Sequence, residues 1–243
     1  MPAAVQAAGP PASEPATPDG LSAVNPPLVD VRDMIVVHTA MLREFRLASA
    51  AVHRVPAGNT RSARRVDAHL QLLCDLLHHH HSGEDELLWP PLRAVLPPAG
   101  QALLDDAEDQ HAGIDHALEQ LNTARTRWVA DTTDLAAAAL VAALHRLHEL
   151  LAEHLDTEER TLLPLAAANL TAAQWAAVGA AGAASVPKAK MLLVFGMFAY
   201  EGDPQVLADM LRPAPTPVRL LVPLAAPRVY ARHAARIYGT RRP

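Results

Sequence analysis

The chain has 243 residues and a formal net charge of −5 at pH 7, with hydrophobic residues at 50% of positions and aromatic residues at only 4%. This length can bury one principal core with appended segments. Much of the apolar content is alanine and leucine, which favour helices over strands. The weak negative charge excludes a strongly basic nucleic-acid-binding protein. A single cysteine, Cys74, excludes an internal disulfide and any cysteine-rich zinc or iron–sulfur site.

The start of the chain lacks both the basic and the apolar region of a signal peptide. The longest strongly apolar run, Met191 to Ala199, is far too short to span a bilayer. We therefore expect a cytoplasmic protein, with neither a nucleic acid nor a membrane as its partner. The sequence identifies no protein partner.

Residues 1–27 hold seven of the 21 prolines and show almost no hydrophobic periodicity. We expect them to form a disordered leader rich in proline and alanine. Helical periodicity then begins, and a first helix is predicted to run to about Val55 with Met34, His38 and Phe45 on its apolar stripe. Pro56 should end it.

Three further long helices are predicted in the same way, over about 59–89, 100–130 and 133–167. The first of them must kink or stop at Pro90, because proline lacks a backbone donor and clashes with the preceding turn. Four long helices with short links are typical of an up-down four-helix bundle. The sequence therefore predicts an all-α bundle over residues 28–168.

Residues 169–243 are predicted to form a helical C-terminal extension packed on the bundle. Thr171-x-x-Gln174 is a capping-box pattern, and Asp203-Pro204 is typical of a helix start. Further along, Arg228, Arg232 and Arg236 share one helix face opposite an apolar one. Such a helix could lie on a membrane surface. We favour the alternative, in which the apolar face packs on the bundle and the arginines face solvent.

Two segments carry the strongest functional signal, and they are nearly identical: His80-x-x-x-Glu84-x-x-x-x-x-Pro90 and His154-x-x-x-Glu158-x-x-x-x-x-Pro164. Residues four apart on a helix lie on one side, about 40° from each other around the axis. Each segment therefore presents an imidazole and a carboxylate on the side that also carries leucines. Burying such groups is costly unless they are compensated, and a metal ion between the helices would compensate them.

The other two bundle helices each add one histidine to the apolar stripe, His38 and His111. Four imidazoles and two carboxylates then converge, enough for two divalent ions. This mixture of ligands suits iron or manganese, and carboxylates can bridge ions roughly 3.5–4 Å apart. Zinc could substitute.

The histidine run before Glu84 leaves one alternative open. Only His80 matches both the leucine phase and the spacing to Glu84, but His81 with Asp85 forms a competing register. His78 and His79 are expected to face solvent or line the end of the bundle.

The whole pattern resembles the hemerythrin-like, or HHE cation-binding, domain. That family shares a first-helix His, an H-x-x-x-E second helix ending in Leu-aromatic-Pro, a third-helix His and a fourth-helix H-x-x-x-E. The matching residues here are His38, His80 and Glu84 with Leu88-Trp89-Pro90, His111, and His154 and Glu158. The resemblance implies a non-haem diiron centre that meets O₂, peroxide or nitric oxide. Glu84 and Glu158 would bridge the irons, with His38 and His80 on one iron and His111 and His154 on the other.

One position departs from the oxygen-carrying members, which have a second histidine four residues after the third-helix histidine. Here that position is Asp115, followed by His116. Asp115 is a candidate metal ligand, or else a hydrogen-bond partner that orients an imidazole. His116 would have to swing in from about 100° around the helix. Four imidazoles in place of five favour chemistry at the metal over reversible O₂ carriage.

Three functions remain as interpretations of the sequence. The first is a diiron oxidoreductase with oxidase, peroxidase or catalase-like chemistry. The second is a non-enzymatic module that binds, stores or senses O₂, nitric oxide or iron. The third is a structural helical protein whose site is empty or holds zinc.

Overall fold

The computed structural model describes residues 28–243, in which every regular element is helical and no strand occurs. The predicted leader over residues 1–27 lies outside the described residues. The first six helices are α1 (Arg32–His53), α2 (Thr60–Gly83), α3 (Trp89–Val95), α4 (Pro98–Asp131), α5 (Asp134–Thr157) and α6 (Leu163–Asn169). They are followed by α7 (Ala172–Ser185), a 3₁₀ turn (Lys188–Lys190), α8 (Met191–Phe198), α9 (Pro204–Met210) and α10 (Thr216–Ile237). The predicted helical class is confirmed.

Side-chain caps start several of these helices, two of them where the sequence predicted a helix start. The Asn59 side chain accepts the backbone N–H of Ser62 at the start of α2. Thr171 and Gln174 form both halves of the predicted capping box on α7. Asp203 caps α9, which begins at a proline. Each cap satisfies backbone donors that a helix start leaves without an intrahelical partner.

A π-helical turn interrupts the chain at each of the two repeated motifs, over Glu84–Leu88 and Glu158–Leu162. In both, the residue after the turn donates its N–H to the glutamate carbonyl five residues earlier. Pro90 and Pro164 follow directly as early residues of α3 and α6. Proline cannot donate to the α-helical ladder, so the chain widens by one residue just before it. The predicted kink or stop at Pro90 is therefore a widened turn that leads into a new helix.

The extra residue in each turn moves the apolar stripe along by one position. Leu88 and Trp89 are fully buried, whereas Leu87, which an uninterrupted α-helix would place on the stripe, is only partly buried. In the second motif, Leu162 and Leu163 are both buried in the same way. The π turns thereby keep the glutamates and the following leucines facing the same interior.

Helices α1, α2, α4 and α5 pack around two apolar cores with a polar layer between them. Along α1, for example, Met34 belongs to the smaller core, His38 to the polar layer and Met41 to the larger core. Along α2 and the first π turn, Leu77 belongs to the larger core and Leu88 to the smaller one. Apolar packing on both sides of the polar layer fixes its depth in the bundle.

Helices α8 and α10 pack closely against each other and against α1 and α2. Their crossing depends on Gly196, because a Cβ atom there would lie 2.4 Å from the carbonyl oxygen of Ala226 and 2.8 Å from Cβ of Tyr230. Only glycine permits this close approach of two backbones.

A buried polar group, here called the Glu44 cluster, joins the extension to the bundle. Its members are Arg43, Glu44, His69, Tyr230, His233 and Tyr238. The Glu44 carboxylate accepts hydrogen bonds from Tyr230 (2.5 Å), Tyr238 (2.7 Å) and Arg43 (2.9 Å). Nε2 of His69 lies 2.6 Å from the Tyr238 hydroxyl oxygen, and its Nδ1 lies 3.1 Å from Nε2 of His233. Arg43 also donates to the carbonyl of Met197 in α8 (2.8 Å).

One helical stretch, Asp134–Asn169, is long and apolar enough by composition to cross a membrane. The bent pair Ala172–Ser185 and Lys188–Phe198 passes the same test only when taken together. Five leucines of the first stretch are buried in the larger core, and its motif residues His154 and Glu158 belong to the polar layer; the five are Leu140, Leu144, Leu147, Leu151 and Leu155. Core helices of bundles share such a composition.

Candidate metal centre

The polar layer contains seven buried side chains, here called the His/Glu cluster. They come from α1, α2, α4, α5 and the two π turns, and they are His38, His80, His81, Glu84, His111, His154 and Glu158. Each is less than 4% exposed except His80, whose side chain is 9% exposed. Charged and polar groups at this depth require partners.

The donor atoms of the cluster form two groups that share Glu84. One group consists of His38, His80, Glu84 and Glu158, and the other consists of His81, Glu84, His111 and His154. Within each group, one nitrogen or oxygen atom per residue lies within 4.8 Å of all the others. Metal–ligand bonds of about 2.0–2.2 Å place two ligands of one ion at most about 4.4 Å apart. The spacing of both groups is therefore close to that of a coordination sphere.

The two carboxylates each face imidazoles of both groups. Oε1 of Glu84 lies 3.3 Å from Nε2 of His80, while its Oε2 lies 3.5 Å from Nε2 of His111. Oε2 of Glu158 lies 3.5 Å from Nε2 of His38 and 3.8 Å from Nε2 of His154. Both glutamates therefore lie at the boundary between the groups.

Three of the imidazoles are oriented by hydrogen bonds on the side away from the centre. Their Nδ1 atoms pair with carboxylate or amide oxygens: His38 with Glu159 (2.9 Å), His111 with Asp85 (2.8 Å) and His154 with Gln110 (2.9 Å). An imidazole that donates through Nδ1 presents the lone pair of Nε2 on its other side. Such outer partners are what orients histidine ligands at metal sites.

Most of the inward-facing atoms have no hydrogen-bond partner among the described residues. These atoms are both carboxylate oxygens of Glu84 and Glu158, Nε2 of His38 and His80, and both ring nitrogens of His81. The distances of 3.3–3.8 Å between them are contacts without hydrogen-bond geometry. Buried polar atoms without partners are rare in proteins, because each costs free energy. A concentration of them in one layer fits a bound cation.

Burial and mutual repulsion disfavour charge in this layer. Burial, followed by repulsion from Glu158, raises the pKa of Glu84 well above its ordinary value. Burial also raises the pKa of Glu158, although His38 partly offsets that effect. Burial lowers the pKa of His80 and His81, and burial together with His111 lowers the pKa of His154 to about 3. Neutral imidazoles are the form that binds a metal, and a divalent ion would favour the ionised carboxylates.

A cavity of about 220 Å³ reaches the cluster between α4 and the second motif. His154 and Glu158 line its inner end, together with Gln110. Asp106 and Asp109 also line it and are exposed to solvent. The cavity therefore connects the surface with one side of the donor set.

A comparison with protein families matches the hemerythrin HHE cation binding domain to residues 29–166, more than half of the chain. The chain belongs to the hemerythrin family. The match includes both repeated motifs as well as His38 and His111, so the resemblance inferred from the sequence is confirmed. No curated protein and no solved structure matched the chain. The family's domain binds cations, and the His/Glu cluster supplies donors that could hold them.

All six histidines and glutamates expected from the repeated motifs and the helix stripes come together in this hemerythrin-family fold. His38 and His80 share one donor group and His111 and His154 share the other, as the resemblance implied. The structure brings these residues together, and their role as ligands stays a prediction.

Asp115 does not join the cluster, which corrects its inclusion among the candidate ligands. Its side chain is 52% exposed and lies 3.9 Å from the imidazole of His78. Asp115 is about 40° around α4 from His111, on the side away from the buried Ile114 and Ala117. His116 is also exposed, on the outer face of the helix.

His81 is the cluster residue that the sequence analysis placed only in a competing register. Its ring stacks on that of His111 with centroids 4.1 Å apart, and both of its nitrogens face the cluster without a partner among the described residues. On the sequence alone, His80 with Glu84 and His81 with Asp85 were competing registers. Residues three apart and four apart are both neighbours on a helix, so one glutamate can serve two consecutive histidines. That relation was the available signal.

His81 also changes the count of imidazoles. The cluster contains five, because His81 supplies the one that is absent at the position of Asp115. The expectation that four imidazoles disfavour reversible O₂ carriage therefore loses its premise. His78 and His79 are exposed, as expected.

Proposed function

We propose that this hemerythrin-family chain is a cytoplasmic, up-down four-helix protein with a non-haem diiron centre that reacts with O₂, peroxide or nitric oxide. The observation that carries this proposal is the set of buried donors of the His/Glu cluster that have no partner among the described residues. Two groups sharing Glu84 match the ligand demand of two ions. Mixed imidazole and carboxylate ligands favour iron or manganese, and zinc is a possible replacement.

In the proposed centre, Glu84 and Glu158 would each help to hold both ions. The support is that each carboxylate faces imidazoles of both groups at 3.3–3.8 Å. Two ionised carboxylates would also offset part of the positive charge of the ions in this buried layer. The bound pair would supply reversible changes of oxidation state and an open position for a small ligand.

The two ion positions differ in their protein donors. The group of His38 and His80 has two imidazoles with two carboxylates, whereas the group of His81, His111 and His154 has three imidazoles with Glu84. With both carboxylates shared between the ions, the two positions would differ by one imidazole, and ligand type affects the electronic properties of a metal. We therefore expect the two ions to differ in reduction potential.

The size of the cavity limits which molecules can reach the His/Glu cluster. A volume of about 220 Å³ admits diatomic molecules and peroxide and is below the range of pockets that bind drug-sized organic ligands. At its inner end, Gln110 accepts a hydrogen bond from His154 and so holds that imidazole in place beside the cavity. Small oxidants fit this opening better than organic substrates.

Reversible binding is the second candidate, and the five imidazoles favour it. On this alternative the protein stores or senses O₂, nitric oxide or iron without turnover. The two candidates share the same metal centre and differ in whether the bound small molecule is released unchanged or consumed.

The test begins with metal-free protein loaded anaerobically with ferrous iron. We expect about two iron ions per chain, the number that a carboxylate-bridged pair requires. Hydrogen peroxide or O₂ is then added while absorption and reactant loss are followed. Repeated consumption of peroxide supports an enzyme, whereas a stable spectrum that reverses on removing O₂ supports a carrier or sensor. Absence of bound iron would overturn the proposal.

A further inference from the structure

The first half of α10 stands clear of the rest of the described structure. Every residue of 215–221 is exposed. Leu220, Leu221 and Leu224 are 66%, 62% and 61% exposed, among the most exposed large apolar side chains of the described chain. Apolar side chains grouped in this way on a surface mark a site of interaction.

The second half of the same helix behaves differently. Ala226, Tyr230, Ala234 and Ile237 are all buried against the extension and the bundle. The sequence favoured packing of the apolar face of α10 on the bundle, and the structure shows this packing in the second half of the helix only. The helix is anchored at one end and offers leucines at the other.

Basic side chains accompany the exposed leucines. On a helix, Leu220, Leu221 and Leu224 span about 100°, and Arg228 falls within that arc one turn after Leu224. The Arg228 guanidinium folds back to donate a hydrogen bond to the carbonyl of Leu224, so its charge lies beside the leucines. Arg219, in the same two turns, is also exposed.

Charge is also segregated along the chain. Residues 185–243 contain nine Lys and Arg against three acidic residues, and no acidic residue follows Asp209. The preceding residues contain 12 Lys and Arg against 23 acidic residues. The extension is therefore a positive surface on a negative protein, and an anionic partner would meet it from the side of α10.

We propose that the first half of α10 binds the surface of an anionic lipid bilayer. Helices that lie in a membrane interface combine leucines on one side with basic residues that pair with lipid phosphates. The first half of α10 is exposed on all sides and therefore offers a convex surface, which the fluid headgroup region of a bilayer can surround. A protein partner would need a matching groove. The exposed stretch of 215–221 is too short to span a bilayer, so it would lie in the headgroup region.

This inference is independent of the diiron proposal, because it involves none of the His/Glu cluster. Its failure would leave the metal centre untouched, and the reverse also holds. Membrane association would place the bundle at a surface without altering the ligand set.

The experiment is cosedimentation of the full chain with two kinds of vesicle, one of phosphatidylcholine alone and one of phosphatidylcholine with phosphatidylglycerol. We expect binding to the anionic vesicles that weakens as salt is raised, since the arginine contribution is screened. The double variant Leu221→Glu/Leu224→Glu should bind at least about tenfold more weakly, because it removes apolar contact and adds like charge to the lipid.

Leu135 provides the matched control. It is 83% exposed at the start of α5, beside the acidic Asp134, and Leu135→Glu should leave vesicle binding unchanged. Unchanged helical content and iron content in both variants would show that folding is intact. A second variant, Arg219→Ser/Arg228→Ser, should reduce binding to anionic vesicles and make the residual binding less sensitive to salt.

Several results would overturn the proposal. These are no binding to anionic vesicles, equal binding to neutral ones, or full binding by the double leucine variant. A monomer–dimer equilibrium abolished by the leucine substitutions, without vesicle binding, would instead assign the surface to a second copy of the chain.

Discussion

Two buried polar clusters of this protein resemble each other in residue type and depth but differ in hydrogen bonding. In the His/Glu cluster, both oxygens of Glu84 lack a partner among the described residues. In the Glu44 cluster, both oxygens of Glu44 accept hydrogen bonds from tyrosines, and Arg43 adds another. The Glu44 carboxylate, which only the protein stabilises, has hydrogen-bond donors for both oxygens. The carboxylates that we propose as metal ligands have none among the described residues.

The acidities of the two glutamates show the same contrast. Burial alone would raise the pKa of Glu44, but His69, Tyr230 and Arg43 outweigh it and lower that pKa to about 2. The pKa of Glu84 is raised, because burial and Glu158 both oppose its charge. The same side chain at the same depth is thus ionised in one cluster and resists ionisation in the other. The neighbouring groups, and not burial, therefore determine in which direction each pKa is shifted.

The largest expected difference concerns metal. Glu84→Ala should weaken iron binding at least roughly a hundredfold, because Glu84 belongs to both donor groups. The stability of the metal-free protein should change little or even increase, since the variant removes a buried carboxylate without partners. Metal analysis after anaerobic loading, with thermal unfolding of the metal-free form, measures both. Glu86→Ala, exposed in the same π turn, is the control. Full iron content in Glu84→Ala would refute its place in the centre.

Truncating the glutamate of the Glu44 cluster should have the opposite effects, a loss of stability and unchanged iron binding. Glu44→Ala removes the buried acceptor that Arg43, Tyr230 and Tyr238 share, although Arg43 keeps its contact with Glu201 (2.9 Å). It should cost about 3–5 kcal/mol of the free energy of unfolding. Iron content per folded chain should stay at the wild-type value, because the Glu44 cluster contains no member of the His/Glu cluster. Denaturant unfolding compared with Glu153→Ala, exposed on α5, measures the difference. A loss of under about 1 kcal/mol, the size of an exposed ion pair, would show that Glu44 does not stabilise the packing of the extension on the bundle.

Acidification should remove the difference in unfolding free energy between the wild type and Glu44→Ala. The pKa of Glu44 is about 2 in the folded protein and near its ordinary value of 4.5 when unfolded. Its contribution of about 3 kcal/mol is therefore fully present above pH 4.5 and is lost as the pH falls toward 2. The stability gap between the wild type and Glu44→Ala should shrink over that window in denaturant unfolding. A gap that stays constant from pH 7 to pH 2.5 would show that Glu44 is not stabilised as a carboxylate.

The smallest effect is expected from the outer partners of the imidazoles. Asp85 accepts from Nδ1 of His111, and Asp85→Asn should weaken iron binding roughly 10–100-fold while keeping two sites. Competition with a chelator gives the affinity. Asp75→Asn, exposed on α2, should match the wild type. Equal affinity in both variants would show that the Asp85 contact does not orient His111.

Helix periodicity sufficed to find His38, Glu84, His154 and Glu158, because ligands on bundle helices must share the apolar stripe. It failed where one helix face accommodates two consecutive histidines, which is why His81 was considered only as an alternative to His80. The π turns were out of reach, since proline predicts a break and not the form that the break takes.

The position of Asp115 came from the resemblance and not from the stripe, and the stripe was the better guide. Its neighbours Ile114 and Ala117 define the buried side of α4, and Asp115 lies beyond it. The Glu44 cluster was also unpredictable from the sequence, because Glu44 and Tyr238 are far apart in the chain and neither belongs to a motif. Only the packing of the extension on the bundle brings them together.

The most direct test is an anaerobic titration of the metal-free protein with ferrous iron, carried out on the wild type, His81→Ala and Asp115→Ala. We expect saturation at about two ions per chain for the wild type and Asp115→Ala. His81→Ala should bind one ion markedly more weakly, because the imidazole facing His111 is lost. Equal titrations for the wild type and His81→Ala, with binding lost in Asp115→Ala, would contradict the proposed ligand set.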